Sequence, residues 1–99
     1  MTSTIYRNPK ILRGAHDCPF CLGCGKPNDG TVVAAHSNQA RDAKGAGIKA
    51  HDFRVAYLCF TCHQFVDTSN KATIEEREEL WETAHRLTVA YLILSGILK

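Results

Sequence analysis

The chain has 99 residues and a net charge of +2, which fits one domain with a marginal apolar core. Residues 1–55 hold eight Lys and Arg against four Asp and Glu, so this part would face a polyanion such as nucleic acid. Residues 1–13 hold no apolar run typical of a signal peptide, and no stretch is long enough to cross a bilayer. A cytoplasmic protein without a membrane partner is therefore expected.

The first two thirds of the chain predict short elements joined by turns. Residues 1–13 are expected to form a loose basic arm, and the Gly- and Pro-rich residues 18–30 a series of turns. A strand that is β-branched at its start is predicted over residues 31–35 and ends at His36. After a long polar loop, a second strand is predicted over residues 53–58.

Two helices are predicted in the last third. The first begins near Thr61 or Cys62 and carries His63 on its first turn. The second begins at a capping box, in which the Thr73 hydroxyl accepts from an end amide and Glu76 reaches back, and it ends near Gly96. Its apolar stripe follows the 3.6-residue period and consists of Ile74, Leu80, Trp81, Ala84, Leu87, Thr88, Tyr91 and Leu92.

The cysteines carry the strongest chemical signal. Cys59 and Cys62 form one Cys-x-x-Cys pair, whose spacing suits a zinc ion, and the odd total of five cysteines argues against complete disulfide pairing. Cys18, Cys21 and Cys24 compete for the two remaining ligand positions. Local geometry favours Cys21 with Cys24, because a glycine follows that pair and permits a tight turn. Four of these five thiolates are expected to hold one structural zinc ion.

Two histidines suggest chemistry beside the zinc site. His36 ends an apolar strand next to a glycine-rich basic loop, and His63 directly follows the second cysteine pair. A neutral imidazole in such a place can take a proton from water. The order of cysteine pair, strand ending in His, loop, strand, cysteine pair and helical His resembles the HNH endonucleases of the ββα-metal fold. More closely, the chain is similar to the YbcO-type nucleases of phages and lambdoid prophages, through residues 32–38, 44–50 and 59–63 with Asp67 following.

This resemblance covers about residues 8–87 and implies an architecture. The chain would be a small α+β zinc-stapled domain with an HNH-like ββα-metal core and a long C-terminal amphipathic helix. Residues 1–99 would form a single domain, comprising the basic arm (1–13), the zinc-knuckle ββα core (14–68) and the C-terminal helix (72–97). The implied function is metal-dependent hydrolysis of DNA phosphodiester bonds in a bacterial host cell.

The resemblance also implies roles for individual residues. His36 matches the general base, and His63 matches the ligand of a catalytic divalent cation, Mg²⁺ or Mn²⁺. His85 matches a second helical His that completes the metal site or contacts phosphate. Asp52 stands where relatives also carry Asp, and it binds the metal or orients His36.

Zinc and DNA contacts are implied as well. The resemblance pairs Cys18 with Cys24 as the first two zinc ligands, whereas the local geometry favours Cys21 in place of Cys18. Basic residues in and after the loop are expected to neutralise DNA phosphates, giving salt-sensitive binding with little sequence preference. These residues are Arg41, Lys44, Lys49 and Arg54.

Two other functions fit the same residues. Ala35 stands where well-studied HNH sites carry Asp or His, and the central Asn of the motif has no counterpart near Arg54. A zinc-ribbon-like nucleic-acid-binding module without catalysis is therefore the alternative, since such a module needs none of the three histidines. A third function is a small phage scaffold protein. The late helix is richer in apolar residues than one core face requires, which predicts a homodimer through Tyr91, Leu92, Ile93, Leu94, Ile97 and Leu98.

Overall fold

The computed structural model describes residues 7–37, 51–68 and 72–97. Within them the fold is a small α+β arrangement of one two-stranded sheet and three helices, which agrees with the predicted class. In chain order the elements are α1 (Pro9–Asp17), β1 (Val33–His36), β2 (Val55–Leu58), α2 (Phe60–Thr68) and α3 (Ile74–Leu94).

Helix α1 corrects the expectation of a loose arm for residues 9–13, while residues 1–6 lie outside the described part of the chain. Asn8 caps the helix by accepting a hydrogen bond from Lys10 N at 3.1 Å, and Pro9 occupies the first helical position. Proline suits that position because its fixed φ matches the helix and its missing N–H would have had no helical partner. Ile11 and Ala15 are fully buried, so α1 is held by core packing.

The sheet is an antiparallel hairpin of four residue pairs. Val33 pairs with Leu58 at one end, and His36 pairs with Val55 at the other. Both predicted strands are present, although each is shorter at its start than the sequence indicates. All four residues of β2 are buried because α3 packs on β2 and α1 packs on β1.

Helix α3 begins at the predicted capping box. Thr73 Oγ1 accepts from Glu76 N at 3.0 Å, and Glu76 Oε1 accepts from Thr73 N at 2.9 Å. The residues that face the core are Trp81, Ala84, His85, Thr88 and Leu92. Of the predicted stripe, Ile74 and Leu87 are instead 62% and 50% exposed. Ile74 precedes Trp81, the first buried residue of the helix, and Leu87 lies about 120° around the helix from Trp81, off the buried face.

Hydrogen bonds as well as apolar contacts fix α3 on the sheet. Thr88 Oγ1 accepts from Tyr57 N at 3.0 Å and donates to Ala84 O at 2.8 Å. Trp81 Nε1 donates to Ala35 O at 3.0 Å, so the helix is tied to both strands. Near the end of the helix Leu94 is 87% exposed, and the homodimer through this end stays a prediction.

No helix among the described residues combines the length and apolar character that crossing a bilayer requires.

Candidate functional site

Four cysteines lie together at one end of the hairpin. The sulfurs of Cys21, Cys24, Cys59 and Cys62 are all within 4.8 Å of one another. Zn–S bonds of about 2.3 Å in a tetrahedral site set the sulfurs about 3.8 Å apart. Cys24 Sγ and Cys59 Sγ are 3.9 Å apart, which matches this spacing. The cluster can therefore hold a metal such as zinc with little rearrangement.

The turn that carries the first pair of cysteines is attached directly to the sheet. Leu22 N donates to Tyr57 O at 2.9 Å, which aligns the turn with the edge of β2. A side chain at Gly23 would meet Leu58 Cδ2 at 2.8 Å and Cys62 Sγ at 3.2 Å. Only glycine lets the turn approach the strand and the second cysteine pair this closely.

Backbone amides surround one sulfur of the cluster. Cys21 Sγ accepts from the N–H groups of Cys59, Gly23 and Cys24, at 3.2, 3.3 and 3.5 Å. Burial opposes ionisation of this thiol, yet the three donors outweigh it and lower its pKa to about 7. Burial and then the neighbouring Cys21 sulfur raise the pKa of the Cys62 thiol. Several thiolates at this distance need a cation between them, which favours a metal site.

Cys18 lies outside this cluster. Its thiol donates to Phe20 O at 3.2 Å, the side chain is buried, and burial raises its pKa. The Cys18 sulfur is not among the four that lie within 4.8 Å of one another. The geometry thus brings Cys21 together with Cys24, and it does not match the pairing of Cys18 with Cys24 that the resemblance implies.

A histidine and a carboxylate meet at the opposite end of the hairpin, about 10 Å of strand from the cysteines. His36 Nε2 lies 2.9 Å from Asp52 Oδ1. Asp52 is almost fully buried, and two groups before α1 also contact it. Asn8 N donates to Oδ2 at 2.6 Å, and Arg7 Nη1 donates to Oδ1 at 3.3 Å.

These contacts determine the protonation of the pair. Burial alone would raise the pKa of Asp52, but the hydrogen bonds from His36 and Asn8 and the Arg7 charge outweigh it and lower this pKa. An ionised carboxylate only accepts hydrogen bonds, so His36 Nε2 carries the proton. In the neutral ring the lone pair is then on Nδ1. Of the two predicted roles for Asp52, this geometry favours orienting His36.

His63 forms a second pair with a carboxylate on α2. Its Nε2 lies 2.9 Å from Asp67 Oδ2, one helical turn along, and both side chains are about one third exposed. Within residues 7–37, 51–68 and 72–97, the four cysteines are the one group of three or more metal-ligating side chains that come together. His63 therefore does not share a preassembled cluster with His36 and Asp52.

His85 lies in the interior between α3 and β2. Its Nδ1 contacts Val55 O at 2.7 Å, which makes Nδ1 the protonated nitrogen because a carbonyl oxygen accepts. The ring stacks on Trp81 with the centroids 5.0 Å apart and the planes 6° from parallel. These contacts describe a packing histidine, which departs from the catalytic role that the resemblance implies.

Among the predicted DNA contacts, the structure describes Arg54. Its guanidinium pairs with Glu82, with Nη2 2.8 Å from Oε2, and it lies 4.7 Å above the Trp81 ring. A DNA phosphate would have to compete with the Glu82 carboxylate for this side chain. The other predicted contacts, Arg41, Lys44 and Lys49, lie outside the described residues.

Two contributors to this site have no place in the sequence-based predictions, namely Arg7 and Asn8. The Asn8-Pro9 dipeptide could have identified them, because Asn followed by Pro is typical of a helix start. It would have predicted helix α1 in place of a loose arm. In chemical terms, the described residues offer four cysteines that could hold a metal ion at one end of the hairpin and a histidine oriented by a carboxylate at the other. Comparison with known proteins adds no relative, because no family model, curated protein or solved structure matches this chain.

Proposed function

We propose that this protein is a metal-dependent, HNH-type DNA endonuclease of the kind that phages and prophages carry. The observation that supports it most is the His36–Asp52 pair. A histidine whose Nε2 is held by a buried carboxylate at 2.9 Å keeps Nδ1 available as a base. The order of zinc-stapled hairpin and His-bearing helix α2 agrees with the HNH resemblance.

In the proposed reaction, His36 Nδ1 takes a proton from a water molecule. The water oxygen attacks the phosphorus in line, the bond from phosphorus to the 3′-oxygen breaks, and the departing oxygen takes a proton from solvent. Asp52 stabilises the imidazolium that forms, since its negative charge faces the protonated ring. The cysteine cluster takes no part in these steps and holds the hairpin together.

A catalytic cation would bind at His63. The Asp67 carboxylate beside the His63 imidazole would supply the oxygen ligand that Mg²⁺ and Mn²⁺ prefer, and water and substrate phosphate would complete the coordination shell. When bound, the cation would neutralise charge on the scissile phosphate and on the departing oxygen. Asp67 orients the His63 ring on the exposed side of α2.

The alternative is a zinc-ribbon-like nucleic-acid-binding module. It is favoured by the absence of a preassembled cation cluster around His63 in the described part of the chain. The Arg54–Glu82 pair does not discriminate between the two functions, because either protein could use this pair to hold α3 on the sheet.

We expect His36→Ala to reduce plasmid nicking by at least about 100-fold, the lower end of the contribution of a general base. The full-length, zinc-loaded protein is assayed with supercoiled plasmid in Mg²⁺ and in Mn²⁺. His16→Ala is the matched control, because His16 is exposed on α1. Zinc content and circular dichroism are compared in all three proteins.

Each result has a distinct meaning. Cutting by the wild type and by His16→Ala, with loss of cutting in His36→Ala, supports the nuclease. Equal cutting by all three proteins would remove His36 from the mechanism. DNA binding on a gel without cutting by any of them would establish the binding module instead.

A further inference from the structure

We propose that the segment entering α1, Arg7 and Asn8, is a positioning element for the histidine base, holding the Asp52 carboxylate that orients His36. Its catalytic consequence depends on the proposed nuclease function, but the positioning itself does not. It assigns a role to residues that precede the hairpin by more than 20 positions in the sequence.

The two residues act on different oxygens of Asp52. Asn8 N donates to Oδ2 at 2.6 Å, while Arg7 Nη1 shares Oδ1 with His36 Nε2, at 3.3 and 2.9 Å. Both oxygens are thus engaged, and the carboxylate has a defined rotation. Because Oδ1 faces the imidazole in that rotation, the ring is held with Nε2 protonated and Nδ1 free to accept.

The Asn8 amide is a rigid donor. Asn8 is the N-cap of α1 with φ −144° and ψ 98°, and its own Oδ1 is occupied by Lys10 N. The following Pro9 restricts the backbone further. The direction of this N–H is therefore fixed by the helix, and the helix is fixed by the buried side chain of Ile11.

Arg7 contributes charge more than rigidity. Its side chain is 43% exposed, whereas that of Asp52 is 2% exposed, so the guanidinium adds a positive charge beside a buried carboxylate that already accepts from Asn8 and His36. Without Arg7, the Asn8 and His36 contacts remain, but the carboxylate is less strongly ionised and the imidazole less firmly oriented. A partial effect is expected, in contrast to the larger effect of changing Asp52 itself.

The test compares Arg7→Met with Asp52→Asn in the full-length, zinc-loaded chain. Arg86→Met is the matched control, because Arg86 is an exposed arginine on α3 whose guanidinium contacts Thr83. Long-range proton–nitrogen NMR reads the tautomer of His36 directly, and this readout needs no nuclease activity. Plasmid nicking at saturating DNA and Mn²⁺ gives kcat.

We expect wild type and Arg86→Met to show His36 protonated on Nε2. Arg7→Met should show a mixture of tautomers and a kcat about tenfold lower, which corresponds to about 1.4 kcal/mol in the barrier. Asp52→Asn should lower kcat by at least about 100-fold, because the introduced amide can donate to His36 Nε2 and so favours the tautomer protonated on Nδ1.

The outcomes separate the two proposals. If no protein cuts DNA but Arg7→Met alters the tautomer while Arg86→Met does not, the positioning role holds and the nuclease function fails. An unchanged His36 tautomer and unchanged kcat in Arg7→Met would overturn the positioning role of this segment.

Discussion

Replacing Cys21 by alanine is expected to release the zinc ion and unfold the domain, whereas replacing Cys18 by alanine leaves both intact. Cys21 is one of the four clustered sulfurs and is the one that accepts three backbone N–H groups. Structural zinc contributes about 10–16 kcal/mol of apparent binding free energy in small domains, and a marginal core cannot replace it. Cys18 contributes packing and a hydrogen bond to Phe20 O, so its loss should cost about 1 kcal/mol.

Two measurements test which cysteine is the metal ligand. Mass spectrometry of the dialysed proteins gives the zinc content per chain, and thermal melting followed by circular dichroism gives the stability. One zinc per chain is expected in the wild type and in Cys18→Ala, and much less in Cys21→Ala. The reverse result, in which Cys18→Ala loses the metal and Cys21→Ala retains it, would support the pairing that the resemblance implies and contradict the geometry.

Replacing Trp81 by alanine is expected to lower the free energy of unfolding by about 3–5 kcal/mol. A domain of this kind has a total unfolding free energy of about 5–15 kcal/mol, so about a fifth or more of it would be lost. Trp81 is 2% exposed, donates to Ala35 O, and its ring contacts both the Arg54 guanidinium and the His85 ring. Its removal leaves a cavity and takes the stacking partner from both neighbours.

Urea denaturation of the zinc-loaded proteins, followed by circular dichroism because Trp81 is the single tryptophan of the sequence, measures this loss. Leu87→Ala on the same helix is the control, since Leu87 is 50% exposed and its truncation should change the unfolding free energy by less than about 0.5 kcal/mol. Similar losses in the two variants would show that α3 is not held on the sheet through Trp81.

The features that the sequence predicts well depend on neighbours along the chain. The capping box at Thr73 and Glu76 is local, and so is the Cys59–Cys62 pair. The choice between Cys18 and Cys21 is local in part, because the glycine after the Cys21–Cys24 pair favours Cys21, but the position of the Cys21 sulfur in the cluster is not local. It depends on the Cys59 amide, 38 residues further along, which donates to the Cys21 sulfur and not to that of Cys18.

Roles that depend on burial are harder to predict from sequence. His85 and Leu87 are both on the predicted helix, yet the histidine is buried against Val55 O and the leucine is half exposed. The 3.6-residue period places residues on a face but does not say where that face meets the sheet. The sequence predicts Arg54 as a phosphate contact and gives no sign of its pair with Glu82, because Glu82 is 28 residues away.

The exposure of Cys24 gives the metal site an open side. Cys21, Cys59 and Cys62 are buried, while Cys24 is in contact with solvent. A chelator, an alkylating reagent or an oxidant would therefore reach a bound metal ion through this one sulfur, and a bound ion would in turn protect that sulfur from reaction. The lifetime of the metal-loaded domain would then depend on one thiolate, and it would vary with the supply of the metal and with the reducing capacity of the surroundings.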